Sequence, residues 1–423
     1  MKIGLLSYGT RGDVQPFIGL AHALRARGHD VVVGAPENHV AFVRSSGLTV
    51  HPLAGDSDAL FASEQGKRWV LEGSFTRLMQ ALVAQFRALS ERVEKDARAV
   101  SADADVLVGG ALASGVTRLH AEERGIPWTV AHTFPGRPTR AFPSAMVSLP
   151  FGLPGVVNRQ LSSWMLRLVW LALHDIDDGM RDRRGLVRAA HEPTTALFSS
   201  GRASLHLWSP ALVPPPSDWP AHEHVTGFCA LPTSARAGLG ETRALGDVEE
   251  FLAAGPPPVY LGLGSMPVLD AHKTLALFTD VVRALGVRAL VGGNFVGVDV
   301  NALLPSTMRA VGPVDHDALF PRCAGVLHHG GAGSTHTSLR AGRPTFVCTV
   351  LGDQPFWGRV VARHGAGAWT PFRSLTAEKL KRGLATLFEP RVVERARALG
   401  AQMKAEPDGA AAAAARLEAI FAR

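Results

Sequence analysis

Four short stretches hold residue types that could do chemistry. The densest is His328-His329-Gly330-Gly331-Ala332-Gly333-Ser334, two imidazoles set against glycines between the apolar run 324–327 and the helix-compatible run 335–341. Three chemistries fit such a turn: a metal site, a nucleophile elbow and a cradle for a phosphate. Neighbouring strand residues point to opposite faces, so His328 and His329 do not easily bind one ion, and no carboxylate pattern or HExxH completes a set with His336. An elbow needs GxSxG, which is missing. A glycine-rich turn into a helix presents backbone N–H groups and the positive end of the helix dipole, so a phosphate is the natural occupant. A histidine beside it can donate to an oxyanion.

The other three stretches sit at similar places. Gly264-Ser265 closes an apolar run with a hydroxyl that can reach phosphate oxygens. Asp353-Gln354 follows another, an adjacent pair matched to sugar hydroxyls or, alternatively, an aspartate cap for the next helix. Gly9 and Gly12 precede Asp13 in the turn "GTRGD", where Asp13 either caps a helix or faces a ligand. No GxGxxG is in register at any of these turns, which argues against a nicotinamide enzyme. DxD pairs occur at Asp56/Asp58, Asp103/Asp105, Asp175/Asp177 and Asp315/Asp317. None joins a glycine-rich turn, so no metal is assigned to them.

These turns need strands and helices to carry them. Continuous apolar runs at 2–8, 29–36, 47–53, 104–110 and 127–133 read as buried parallel strands, with helices at 15–28 and about 67–100 between them. The pattern breaks over 134–160, where five prolines mark an irregular, pocket-shaping excursion, and "SPALVPPPSDWP" (209–220) reads as a linker. It restarts with strands at 258–265, 287–293, 308–313, 324–329 and 344–350. The expected fold is α/β: two doubly wound domains in tandem, ligands lying in a cleft between them beyond the carboxyl ends of the strands.

Composition bounds the rest. A chain of 423 residues, 46% hydrophobic and 19% charged, suits two packed domains. The excess of 44 Lys+Arg over 37 Asp+Glu forms no basic block, so no nucleic-acid partner is expected. Cys229, Cys323 and Cys348 make no disulfide framework and fit buried thiols in a reducing cytoplasm. The start reads as a first strand, not a signal peptide. The segment 161–174 is too short to span a bilayer and Arg167 interrupts it, which leaves a core or lid helix, with weak peripheral membrane contact as the sharper alternative.

"SYGTRGDVQPFIGLAHALRARGHDV" resembles the N-terminal signature of GT-B fold, family 1 glycosyltransferases. "HHGGAGSTHTSLRAGRPTFVCTVLGDQPFWGRVV" resembles the donor-binding signature of the branch holding sterol glucosyltransferases and bacterial enzymes that glycosylate glycopeptide and polyketide natural products. The resemblance implies an acceptor domain over 1–215, a nucleotide-sugar domain over 216–405, and a C-terminal helix, 406–423, packing back on the first. It implies Asp13 as catalytic base, where many relatives have histidine with an Asp partner; no such dyad is assigned. It implies donor binding by Gly12, Gly264, Ser265, His328, Gly330, Gly331, Ala332, Gly333 and Ser334 at the diphosphate, by Val314 near the base, and by Asp353 and Gln354 at the sugar. The expected reaction is inverting transfer of a hexose from a UDP- or TDP-sugar to a hydrophobic natural product, without cofactor or metal, by a monomer or weak dimer. Alternatives are transfer to a sterol or glycolipid at a membrane surface, and a sugar-nucleotide epimerase.

Overall fold

Each of the ten apolar runs folds as a parallel strand, and three further strands join them. The computed structural model describes residues 1–63, 66, 75–146, 149, 151–239, 241–246, 248–267, 270–295 and 298–421; the part of the expected helix at 67–74 lies outside them. The chain divides into two units, Met1–Ala59 with Thr76–Ala235 and Pro407–Arg423, and Leu60–Phe75 with Arg236–Glu406.

The first unit holds a seven-stranded sheet in the order β3-β2-β1-β4-β5-β6-β7. Its strands are β1 (Lys2–Leu6), β2 (Asp30–Pro36), β3 (Thr49–Leu53), β4 (Val106–Gly110), β5 (Trp128–His132), β6 (Ser204–His206) and β7 (Glu223–Val225). The helix Arg11–Ala26 packs through Val14, Phe17, Ile18, Ala21 and Leu24, the spacing of one helical stripe. Arg27 caps it, and Gly28 follows with a φ of 86°, which an ordinary side chain disfavours. Helix Gly409–Phe421 lies against this first helix, buries Ala413, Ala414 and Leu417, and sets Glu418 Oε1 2.8 Å from His29 Nε2.

Two expectations change here. The proline-rich stretch 209–220 is not a linker: Leu212 and Val213 are buried, and Trp219 stacks on His206 while its indole donates to the Pro138 carbonyl at 3.2 Å. The expected second domain, from residue 216, begins later, because β7 pairs with β6 and the first unit runs through Ala235. Strands β6 and β7 have three residues each, too few to show a period.

The second unit has six strands in the order β10-β9-β8-β11-β12-β13. They are β8 (Val259–Pro267), β9 (Ala289–Asn294), β10 (Met308–Val311), β11 (Gly325–His328), β12 (Thr345–Thr349) and β13 (Gly367–Pro371). Along β8, Val259, Leu261 and Leu263 enter one hydrophobic cluster and Tyr260 the opposite one, so both faces are covered, as parallel sheets require. The strand order reverses between β8 and β11, and β11 feeds directly into the His328–Ser334 turn. Ligand crevices open at such a reversal.

The three cysteines are buried free thiols. Burial pushes Cys323 up to about 12, which makes it inert. Among the described residues no helix is long and apolar enough to cross a membrane.

Candidate active site

Asp13 is the third residue of the helix Arg11–Ala26. Its Oδ2 accepts from the Thr10 backbone N–H (2.9 Å) and the Thr10 hydroxyl (3.1 Å), closing the helix N-terminus as a capping box. Gly9, at φ 128°, makes room: a Cβ there would lie 2.3 Å from Oδ2. So the capping reading holds for one carboxylate oxygen, and Oδ1 stays outside these bonds. Burial raises the carboxyl to about 6, against the two Thr10 bonds that lower it. An ordinary aspartate, near 3.9, is a weak base; this one is matched to neutral pH. Gly12, beside it, is exposed.

Tyr8, which immediately precedes this turn, lines a cavity of about 210 Å³ within the first unit; none of residues 9–13 lines it. Tyr8 and His132, from the ends of β1 and β5, line it with Phe134 and with Leu166, Trp170 and Leu173 of the helix Gly155–Asp182. The excursion 134–160 therefore does border a pocket, through Phe134, Gly136 and Met146, although its last six residues are helical. Sequence reasoning placed a pocket at 134–160 but singled out none of its lining residues and left Tyr8 and His132 unassigned. The available signal was the apolar segment 161–174, which is the middle of this long helix.

In the second unit three loops meet. His328, 1% exposed, ends β11, and its Nδ1 accepts from the Gly330 backbone N–H at 2.9 Å. An acceptor Nδ1 in a neutral ring places the proton on Nε2, which is buried without a partner among the described residues. Burial, with His329 and His316 nearby, holds the ring well below the usual histidine range, so the donor is uncharged. Gly331 caps the helix Ala332–Arg340, which has no side-chain cap. The first N–H groups of that helix lack intrahelical partners by geometry. A Cβ built at Gly333 would meet nothing within 4 Å, so space stands open beside the turn. Ser334 is half-buried there.

His329 does more than face away from His328. A Cβ on Gly264 would lie 2.5 Å from its Cε1, and one on Gly331 2.6 Å from its Nε2. The imidazole is thus wedged between the two glycine turns and sets their spacing, while burial lowers it to about 4. Gly264 itself has φ 63° within β8; the side chain of Ser265 lies outside the described residues. A Cβ on Gly330 would lie 3.0 Å from Gln354 Cβ, which brings the third loop in.

Gln354 Oε1 accepts from the backbone N–H of Val350 (2.7 Å) and Leu351 (3.2 Å), and Asp353 Oδ2 accepts from the Trp357 indole (2.7 Å). Both side chains are therefore fixed before any ligand arrives. Val314 is 6% exposed and packs with Tyr260, Leu290 and Phe320, so its side chain belongs to the core. His336 bonds its own helix, Nδ1 to the Ala332 carbonyl at 2.6 Å, and sits edge-on to Trp357. Asp315 and Asp317 hold Arg236.

Two glycine turns held apart by His329, and a carboxyl raised to about 6 in the unit that holds the apolar cavity, suit group transfer from a phosphorylated donor. Comparison with known proteins decides the family. Residues 3–143 match the glycosyltransferase family 28 N-terminal domain, and residues 296–420 match the C-terminal domain of proteins like erythromycin biosynthesis protein CIII. The sterol 3-beta-glucosyltransferase UGT80B1 of Arabidopsis thaliana is 31% identical over 425 residues, spanning 98% of this chain and 67% of that enzyme. The chain is a family 1/28 glycosyltransferase. The O-mycaminosyltylonolide 6-deoxyallosyltransferase of Streptomyces fradiae is 32% identical, spanning 96% of this glycosyltransferase and 94% of its relative. The GT-B fold is shared with solved structures. The kitacinnamycin glycosyltransferase superposes with a TM-score of 0.71 at 20% identity, covering 99% of each chain. VinC, solved with DTDP, gives 0.67 at 21% identity and covers 100% of each.

Proposed function

We propose that this glycosyltransferase moves a hexose from a UDP- or TDP-sugar, with inversion, to a hydroxyl of a hydrophobic small molecule of the natural-product kind. The observation that carries the reading is the Asp13 carboxyl, raised to about 6, in the unit that also holds the apolar cavity beside Tyr8. The acceptor oxygen attacks the anomeric carbon, the bond from that carbon to the diphosphate breaks, and the acceptor proton passes to Asp13 Oδ1. The electron pair leaves with the diphosphate. His328 Nε2–H, the N–H groups of the 330–334 turn and Ser265 receive that charge as preorganised donors. Gly12 borders the reacting centre, Gly264 lets the second loop approach, and Asp353 and Gln354 hold the sugar. Contact of Val314 with the base runs through its backbone. The binding of DTDP by VinC supports a nucleoside diphosphate donor. An epimerase would use the phosphate cradle but has no use for the apolar cavity. Incubation with a panel of UDP- and TDP-hexoses and a mixed set of hydrophobic alcohols and phenols, read by mass spectrometry, should yield a product one hexosyl unit heavier. Donor epimerisation without any conjugate would sink the proposal.

One observation favours a second setting, a membrane surface. Val157, Leu161, Trp164, Leu168 and Leu171 are exposed at alternating four- and three-residue spacing along the helix that walls the cavity. Arg159 and Arg167 flank this stripe, and residues 155–174 contain no Asp or Glu. Such a face suits an anionic lipid surface. The protein should float with phosphatidylserine vesicles at low salt, and Trp164→Glu/Leu168→Glu should remain in the pellet fraction. Equal recovery with neutral vesicles, or none with either, removes the membrane setting.

A further inference from the structure

Most polar groups in the cavity wall are already spent. Tyr8 Oη donates to the Ala54 carbonyl (2.8 Å), Ser114 Oγ to the Ala111 carbonyl (2.7 Å), Asp177 holds Arg181 (2.7 Å) and Glu192 caps Thr195 (2.9 Å). His132 differs. It is 3% exposed, it lines the cavity, and its Nε2 is buried with no hydrogen-bond partner among the described residues. An orphaned buried donor or acceptor is unfavourable until something pairs with it, and such atoms are rare enough to call for a reason.

The ring is also held rigid from behind. It stacks on His206 with centroids 5.1 Å apart and 17° between planes. His206 is fixed in turn by Glu223, 2.6 Å from its Nε2, and by Trp219, stacked at 4.5 Å. Burial, with His206 and Arg137 nearby, keeps His132 uncharged, so it offers one donor and one acceptor. The carboxylates of Asp177 and Glu192 in the same wall disfavour an anionic guest.

We propose that His132 is the polar anchor of this cavity and hydrogen-bonds a neutral oxygen, a ketone, lactone carbonyl or second hydroxyl, on an otherwise apolar acceptor. This rests on the reading of the cavity as the acceptor site. The anchored oxygen is not the one glycosylated. Asp13 lies in the helix that follows β1 and His132 ends β5, with β4 between those two strands in the sheet, so the two side chains come from different strand ends. His132 is a positioning residue that selects acceptors by a second oxygen, remote from the hydroxyl that is glycosylated.

Matched acceptor pairs test it: 3β-hydroxysteroids with and without a 17-ketone, and hydroxylated macrolactones with and without a ring ketone. The wild type should favour the oxygen-bearing member about tenfold in kcat/KM. His132→Phe keeps the ring stack but offers no hydrogen bond. It should bring the pair to parity by raising KM for the oxygen-bearing member, with kcat within about twofold and an unchanged melting temperature. His132→Gln should restore part of the preference. A preference that survives in His132→Phe, or a wild type that shows none, overturns the proposal. Leu173→Trp, which fills the cavity, separates the underlying reading. If transfer survives that substitution, or if the wild type glycosylates no member of the panel, the cavity is not the acceptor site.

Discussion

Asp13→Asn should lower kcat for transfer by about 10²–10⁴, the usual contribution of a positioned base, while leaving calorimetric TDP affinity unchanged. The substitution is close to isosteric. Its carboxamide oxygen can still accept from Thr10, so the helix cap persists, but the side chain cannot take a proton. Transfer within about threefold of wild type would remove Asp13 as the base. The pH profile supplies a second readout. Asp13 works only when ionised, and burial raises it to about 6. Wild-type kcat/KM should therefore be level above that pH and fall about tenfold for each unit below it. The Thr10 hydroxyl bond favours the charged form and is lost in Thr10→Val, while the backbone N–H bond stays, so that substitution should move the midpoint upward, not downward. A profile that stays level through pH 5 contradicts the assignment.

The second large effect is expected at the leaving group. His328→Phe should cost about 10²–10³ in kcat, the scale of losing one preorganised donor to a developing oxyanion. TDP affinity should fall less, because diphosphate charge grows as the glycosyl bond breaks. The Gly330 N–H also loses its acceptor, so a modest drop in melting temperature is expected. His328→Gln, which can both accept from that N–H and donate onward, should recover part of the rate. The sign of the pH dependence separates this role from acid catalysis. The ring is held neutral well below the usual histidine range, so no rate loss tied to His328 should appear between pH 6.5 and 8. A wild-type rate that declines across that interval and becomes level in His328→Gln would make it a titrating acid, not a fixed donor.

Much of this architecture is legible in the amino-acid order. The five apolar runs of each half are continuous because parallel strands are buried on both faces, and that leaves a mark no surface loop imitates. The glycine turns are legible for a related reason: Gly9, Gly264 and Gly330 stand where positive φ or close approach admits little else. Even the donor role proposed for the 328–334 turn follows from a strand entering a helix through glycines.

What the order of residues leaves open depends on neighbours far along the chain. Strands β6 and β7 are too short for any period and exist only because β5 offers an edge to pair with. The stretch 209–220 has a linker's composition, yet Trp219 turns inward because His206 gives its ring a partner. Asp13 is an ordinary aspartate by type; burial after β1 raises its carboxyl to about 6. The two histidines at 328 and 329 are identical in sequence. One becomes a neutral donor because the Gly330 N–H takes its Nδ1, and the other a spacer because Gly264, from a strand more than sixty positions earlier, comes within touching distance. Sequence determined which groups are present and on which elements they ride. Tertiary structure decided protonation, exposure and partner, because those depend on desolvation and on contacts between residues distant in the chain.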